Sequence, residues 1–328
     1  MIVVTGAAGF IGSNIVADLE ARGMGPIAVC DWFGTHEKWR NLAKRDIAAF
    51  IRPEQLGEYL EAQRSVIRAI VHMGAISATT ERNVDLLVEH NIKLSVDLWD
   101  WCSLNRVPYI YASSAATYGG IEEGFVDDDA IDAIMKLRPL NAYGWSKKAT
   151  DLIFAQRIAA GQPTPPQWIG LKFFNVYGPN EYHKDDMKSV AVKLFDQIRN
   201  GEPVKLFKSY RDGIADGEQR RDFVYVKDCT RAIAWFLDNP QVSGIFNLGT
   251  GKAQSFLDIV KAIGVAIGQK IDVEFIPMPE SLRGRYQYFT QADMSKATAM
   301  GLDTRFMSLE EGVKDYVTEH LSHEDRYR

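Results

Sequence analysis

The chain has 328 residues, of which 46% are hydrophobic and 11% aromatic, and its formal net charge is −5. That length suits one large α/β domain or two interlocked smaller ones, with ample material for a core. The slightly acidic balance leaves no polycationic footprint for nucleic acid or an anionic membrane, and no apolar run approaches the roughly 18 residues of a membrane span.

Cys30, Cys102 and Cys229 are odd in number, far apart and without a CxxC pair. Neither a disulfide framework nor a zinc site is expected, and a reducing, cytoplasmic compartment fits. The apolar N-terminus lacks the basic leader of a signal peptide and breaks at once into Gly6 and Gly9, so it reads as a buried strand.

That strand is Ile2-Val3-Val4-Thr5. Gly6-Ala7-Ala8-Gly9-Phe10-Ile11-Gly12 follows, and an amphipathic helix is predicted over residues 13–22. Strand, glycine turn and helix in this order are the context of a dinucleotide-binding fingerprint, here spaced GxxGxxG. Gly6 can take a φ that L-residues resist, Gly9 lets the backbone approach a pyrophosphate, and Gly12 lets helix and strand pack closely. The helix N-terminus offers free N–H groups to phosphates.

A second strand, Ile27-Ala28-Val29-Cys30, ends at Asp31, about 20 residues beyond the glycines, where an acid binds the ribose 2′-OH of NAD. Lys38, Arg40 and Arg52 follow, and a cation there can accept the 2′-phosphate of NADP. On residues alone that choice stays open. The next strand, Ala69-Ile70-Val71-His72, runs into Gly74-Ala75-Ile76-Ser77, small residues that suit close passage of a cofactor. His72 reads as a satisfied core residue. Trp99 and Trp101, in a helix around residues 96–104, read as core or interface.

Tyr109-Ile110-Tyr111-Ala112-Ser113-Ser114 is a strand that ends in hydroxyls, and Tyr143-Gly144-Trp145-Ser146-Lys147 opens a later helix. Tyr143 and Lys147 stand four apart, so both face the same way. An alcohol that loses hydride to a nicotinamide must also lose its O–H proton, and a free tyrosine of pKa ~10 is a poor base. A neighbouring ammonium and the cationic nicotinamide ring would lower that value, while Ser114 can donate to the substrate oxygen.

TGAAGFIG, YASSAATYGG and YGWSK together resemble the extended short-chain dehydrogenase/reductase family. The likeness continues through LKFFNVYGPNEYHKDDM, RRDFVYVKD, GIFNLGTGKAQSF and GRYQYFTQAD, nearly the whole chain. Within the family it is similar to the enzymes that invert C6 of an ADP-bound heptose for lipopolysaccharide core synthesis, which carry His-Lys just past the FNVYGP run, here His183-Lys184. The resemblance implies a second base, Lys184, beside Tyr143. It implies tightly bound NADP, with the 2′-phosphate on Lys38 and Arg52 helping, although NAD is possible.

The family pattern further implies cofactor contacts from Phe10, Ile11, Trp32, Met73, Gly74, Ala75, Ile76, Ser77, Asn91, Lys147, Val176 and Lys184. It places Asn175 on the sugar, Arg221 on the diphosphate, Phe207 at the adenine and Tyr286 over sugar or nucleotide. Asp186 and Lys193 depart from common serine and histidine positions and are candidate sugar contacts. A homo-oligomer, perhaps pentameric in the family manner, is implied as well.

Strands alternate with helical stretches to about residue 178, so a doubly wound parallel α/β sheet of Rossmann type is expected. The dinucleotide-binding part should comprise residues 1–178 and 223–250, and a smaller interleaved α/β substrate part residues 179–222 and 251–328. The 209–219 stretch reads as a solvated loop and the polar 320–328 tail as frayed; His320 and His323 are weak evidence for metal. A 4,6-dehydratase would need a carboxylate pair next to Ser114, where Ala115-Ala116-Thr117 stand; a 4-epimerase stays a rival. A non-catalytic dinucleotide sensor would have lost Tyr143 or Lys147, and both are present.

Overall fold

The computed structural model describes residues 1–283 and 286–328, with the backbone alone for Asp186, Ser281 and Leu282. The β-branched runs become the inner strands of a seven-stranded sheet, parallel throughout: β1 (Ile2–Thr5), β2 (Ile27–Cys30), β3 (Ala49–Ile51), β4 (Ala69–His72), β5 (Tyr109–Ser114), β6 (Trp168–Phe173) and β10 (Gly244–Leu248). Their spatial order is β10-β6-β5-β4-β1-β2-β3.

Strand alternation explains why these runs are apolar on both sides. Val4 and Val71 pack into one core with Ile110 and Phe236, while their neighbours Val3 and Ile70 enter a second core with Tyr109 and Trp99. Both faces are covered, as parallel sheets require. Trp99 is fully buried and stacks on Phe154 at 4.1 Å, so it belongs to the core.

The first helix (Phe10–Ala21) starts three residues earlier than its sequence suggests, with Gly9 as an N-cap that has no side-chain bond. The helix that carries Tyr143 and Lys147 (Ala142–Ala159) is capped by Asn141, whose Oδ1 accepts from the Gly144 N–H at 2.8 Å. A smaller body holds the pair β8 (Val204–Phe207) and β12 (Val273–Ile276), and a sheet of β7 (Asn175–Tyr177), β9 (Arg220–Tyr225) and β11 (Ala253–Ser255). Helices Val190–Arg199, Phe256–Ile267 and Leu309–Tyr316 share its core. The boundary read at 222/223 falls inside β9, while β10 returns to the large sheet.

Two further readings meet the structure differently. The 320–328 tail is not frayed: His320 and Leu321 are buried, residues 322–325 are exposed, and residues 326–328 are half-buried against the body. The 209–219 loop is largely exposed, as its polar composition suggested, and is tied at two points, with Arg211 paired to Glu122 and the Ser209 N–H donating to Asp216 at 2.7 Å. Long-range partners hold the tail, and its composition does not announce them. The three cysteines are free and buried. Among the described residues no His/Cys/Asp/Glu cluster could hold a metal ion, and no helix is long and apolar enough to cross a membrane.

Candidate active site

A cleft of about 1330 Å³ runs over the carboxyl ends of β1, β2, β4 and β5 and on towards β8 and the Val190–Arg199 helix. Ligands of open α/β sheets sit there, at the point where strand order reverses. Every described residue given a site role from the sequence lines this cleft except Arg40, Arg52 and Asn91. Arg52 lies at an exposed turn and donates to Gln55. Asn91 is fully buried: it accepts from the Ile76 N–H at 2.8 Å and donates to the Ile76 carbonyl at 3.0 Å, bracing the loop instead of lining the cleft. The Asp186 side chain lies outside the described residues.

The glycine turn leaves a cradle. Gly6 has φ +62°, and a Cβ there would meet the Gly74 backbone nitrogen at 2.7 Å. A Cβ on Gly12 would fall 2.1 Å from the Gly6 carbonyl oxygen, so helix and turn touch at that point. Gly9 lines the cleft itself at the head of the first helix, where backbone N–H groups and the helix dipole favour an anion. This cradle fits a pyrophosphate.

Asp31 is committed on both oxygens. Its Oδ2 accepts from the Ala8 N–H at 2.9 Å and its Oδ1 from Lys38 Nζ at 2.6 Å, and Lys38 also donates to the Trp32 carbonyl. Trp32 meets His90 edge-on at 5.0 Å, and both line the same end of the cleft. No local motif in the sequence marks His90.

Ser114, Tyr143 and Lys147 converge. Ser114 ends β5, where its Oγ accepts from the Ala116 N–H and hydrogen-bonds the Tyr143 phenol. Burial pushes the Tyr143 phenol up, with the Ser114 bond opposing. The lowered phenol expected from sequence is thus absent from the chain alone, because desolvation outweighs the hydrogen bond. Burial also brings Lys147 down to about 8, with Asp151 opposing.

Lys184 enters the cleft from the other side, in the turn Tyr182–Met187, with its ammonium 5.4 Å from the Phe10 ring. Burial lowers its pKa, and the Glu181 carboxylate opposes. That shift is in the direction a general base needs. Sequence analysis passed over Glu181. It is 1% exposed and accepts from Ser189 Oγ at 2.7 Å and Tyr316 OH at 3.1 Å, which fixes the turn from behind. His183 also lines the cleft. Its Nδ1 lies 3.1 Å from Asn41 Nδ2, and burial drops it to about 4, so it is neutral.

At the far end Arg221 is buried, donates to the Arg220 carbonyl and stacks on Tyr286 at 5.2 Å and Phe256 at 5.8 Å. Among the described residues it forms no ion pair, so its charge is available to an anion. Phe207 meets Tyr286 edge-on at 6.5 Å, and Asn175 Oδ1 accepts from Thr290 at 3.5 Å. Lys193 lines the same cleft.

Residues 2–249 match the NAD dependent epimerase/dehydratase family. The chain belongs to that family. It is 46% identical to the ADP-L-glycero-D-manno-heptose-6-epimerase of Fusobacterium nucleatum and 46% identical to that of Nitratidesulfovibrio vulgaris, with the whole of each chain covered. Among solved structures it is similar to the Helicobacter pylori ADP-L-glycero-D-manno-heptose-6-epimerase, at 28% identity and TM-score 0.78 over 97% of this chain and 95% of that one. It is also similar to the Thermus thermophilus UDP-glucose 4-epimerase complexed with NAD, at 28% identity and TM-score 0.76 over 96% and 97%. Family membership and cradle together make the cleft a nicotinamide dinucleotide site.

Proposed function

We propose that this family member inverts C6 of the heptose in ADP-D-glycero-D-manno-heptose, giving ADP-L-glycero-D-manno-heptose. The observation that carries the reading is the placement of two half-buried proton carriers, Tyr143 and Lys184, in one cleft. A simple dehydrogenase needs one.

A nicotinamide dinucleotide held by the Gly6–Gly12 cradle would supply a hydride acceptor that later acts as donor. The residues do the rest. One of Tyr143 and Lys184 takes the C6 hydroxyl proton as the C6 hydride leaves, which gives a C6 ketone. Ser114 holds the carbonyl oxygen, and Asn175 and Lys193 bound the space in which the ketone turns over. With the opposite face of C6 presented for hydride return, the other residue gives its proton to the oxygen. Lys147 keeps the phenolate form of Tyr143 accessible through its positive charge. Arg221, between Tyr286 and Phe256, holds the diphosphate as a guanidinium fork, and Phe207 packs on the adenine.

NADP is the cofactor favoured here. Lys38 engages Asp31, the acid that would otherwise repel a ribose 2′-phosphate, and its ammonium stands at the end of β2 where that phosphate would sit. Arg52, turned towards Gln55, takes no part in this reading. The test is to denature the purified protein and identify the released dinucleotide by mass spectrometry; NAD alone would overturn the NADP assignment. For the reaction, the protein is offered ADP-D-glycero-D-manno-heptose and UDP-glucose in parallel. Turnover of UDP-glucose alone would make the protein a 4-epimerase.

A further inference from the structure

The turn that carries Lys184 is gripped by a segment that lies about 140 residues away in sequence. Tyr182 OH donates to the Arg326 carbonyl at 3.0 Å, and the Tyr182 and Tyr327 rings meet edge-on at 5.2 Å. The Arg328 N–H donates to Asn180 Oδ1 at 2.9 Å, and Asn180 holds a positive φ of 71°. The same segment reaches the dinucleotide-binding half. Lys44 donates to the Tyr327 carbonyl at 2.6 Å, the Arg40 guanidinium lies 4.6 Å over the Tyr327 ring, and the Arg328 guanidinium sits 3.5 Å from Asp18 on the first helix. On the other side Arg326 pairs with Asp196 of the Val190–Arg199 helix at 2.9 Å.

Each surface ion pair here is worth little alone. Together with three hydrogen bonds to the segment's backbone and an aromatic contact they give residues 180–182 a fixed place relative to the cofactor cradle. Lys184 follows two residues later, and its own backbone N–H donates to the Glu181 carbonyl at 3.1 Å. A base must stand within hydrogen-bond reach of its proton, so the turn's place decides whether Lys184 can act.

We propose that the Asp325–Arg328 segment is a clasp that positions Lys184: it pins the 180–184 turn against the dinucleotide-binding half, with Tyr327 as its central positioning residue. The inference rests on the reading of Lys184 as second base, so the test separates the two. Hydrogen–deuterium exchange of peptides spanning 180–188 is compared, with kcat and KM, in the full chain, Tyr327→Ala, Tyr327→Phe and a variant lacking residues 325–328.

Tyr327→Ala and the deletion should exchange faster in 180–188 and lose about ten-fold or more in kcat, since an ångström of misplacement can cost up to about 10²-fold. KM for the ADP-sugar should stay within about two-fold, because Arg221 and Phe207 lie at the far end of the cleft. Tyr327→Phe keeps the ring and should behave as the parent. Unchanged exchange in 180–188 overturns the clasp, as does faster exchange with full kcat. Lys184→Met is assayed alongside: full turnover there removes the second-base reading, while the exchange data still judge the clasp.

Discussion

Asp151 Oδ2 and Lys172 Nζ stand 2.8 Å apart, with side-chain exposures of 0% and 1%. The pair ties three elements together. Asp151, one turn beyond Lys147 on the catalytic helix, accepts from Tyr111 OH and Ser113 Oγ on β5; Lys172 on β6 donates to Thr117 Oγ1, which donates to the Ser114 carbonyl. Removing one member strands the other charge. Asp151→Ala should therefore lower stability by about 3–5 kcal/mol in urea unfolding. A loss under about 1 kcal/mol would mean that water reaches Lys172.

Activity should fall on the alkaline side. Lys147 assists Tyr143 only while charged, and burial has brought it to about 8. Below that pH the ammonium is present and supports the phenolate; above it the support is lost. A profile of kcat from about pH 6 to 10 should bend downward near 8, and Asp151→Asn, which removes the charge opposing that shift, should move the bend lower. A rate still climbing at pH 10 would contradict the role given to Lys147.

Much of this was legible because it is local. The β-branched run, the glycine spacing and the four-residue step from Tyr143 to Lys147 each fix a geometry within one or two turns of chain. What escaped depends on partners far away. Asp31 is held on both oxygens, by Lys38 and by the Ala8 N–H 23 residues back, and its own strand announces neither. Asn91 was placed on the cofactor and instead braces Ile76 and donates to Ser146 Oγ at 3.0 Å. The polar tail read as frayed because nothing within it announces Asp196, Tyr182 or Lys44. No periodicity encodes such pairings.

Acid should destabilise the fold well above the carboxylate range. Burial depresses His72 to about 3 and His183 and His320 to about 4, from an ordinary 6.5. Between pH 6.5 and 4 the unfolded chain binds protons that the native one refuses, so stability is full above 6.5 and declines as pH falls through that window. Tm recorded from about pH 7.5 down to 4.5 should drop accordingly, and His183→Asn should lessen the slope. A Tm that is flat across the window would mean that these imidazoles are protonated in the fold.

Arg221→Ala should act on binding. With the guanidinium gone, the diphosphate loses a charge-assisted fork worth about 1.5–3 kcal/mol, so KM should rise roughly ten- to hundred-fold. Arg221→Lys should recover little, because an ammonium offers neither the fork nor the same stacking on Tyr286. Steady-state kinetics check this, and an unchanged KM would place the diphosphate elsewhere.

The central claim is oxidation at C6 with return of the same hydride. The protein is incubated with ADP-D-glycero-D-manno-heptose in D₂O, and the C6 diastereomers are followed by NMR to equilibrium. The account predicts that the L-glycero isomer appears with protium retained at C6, in the wild type and not in Tyr143→Phe. Deuterium at C6, or an unchanged diastereomer ratio, would contradict it.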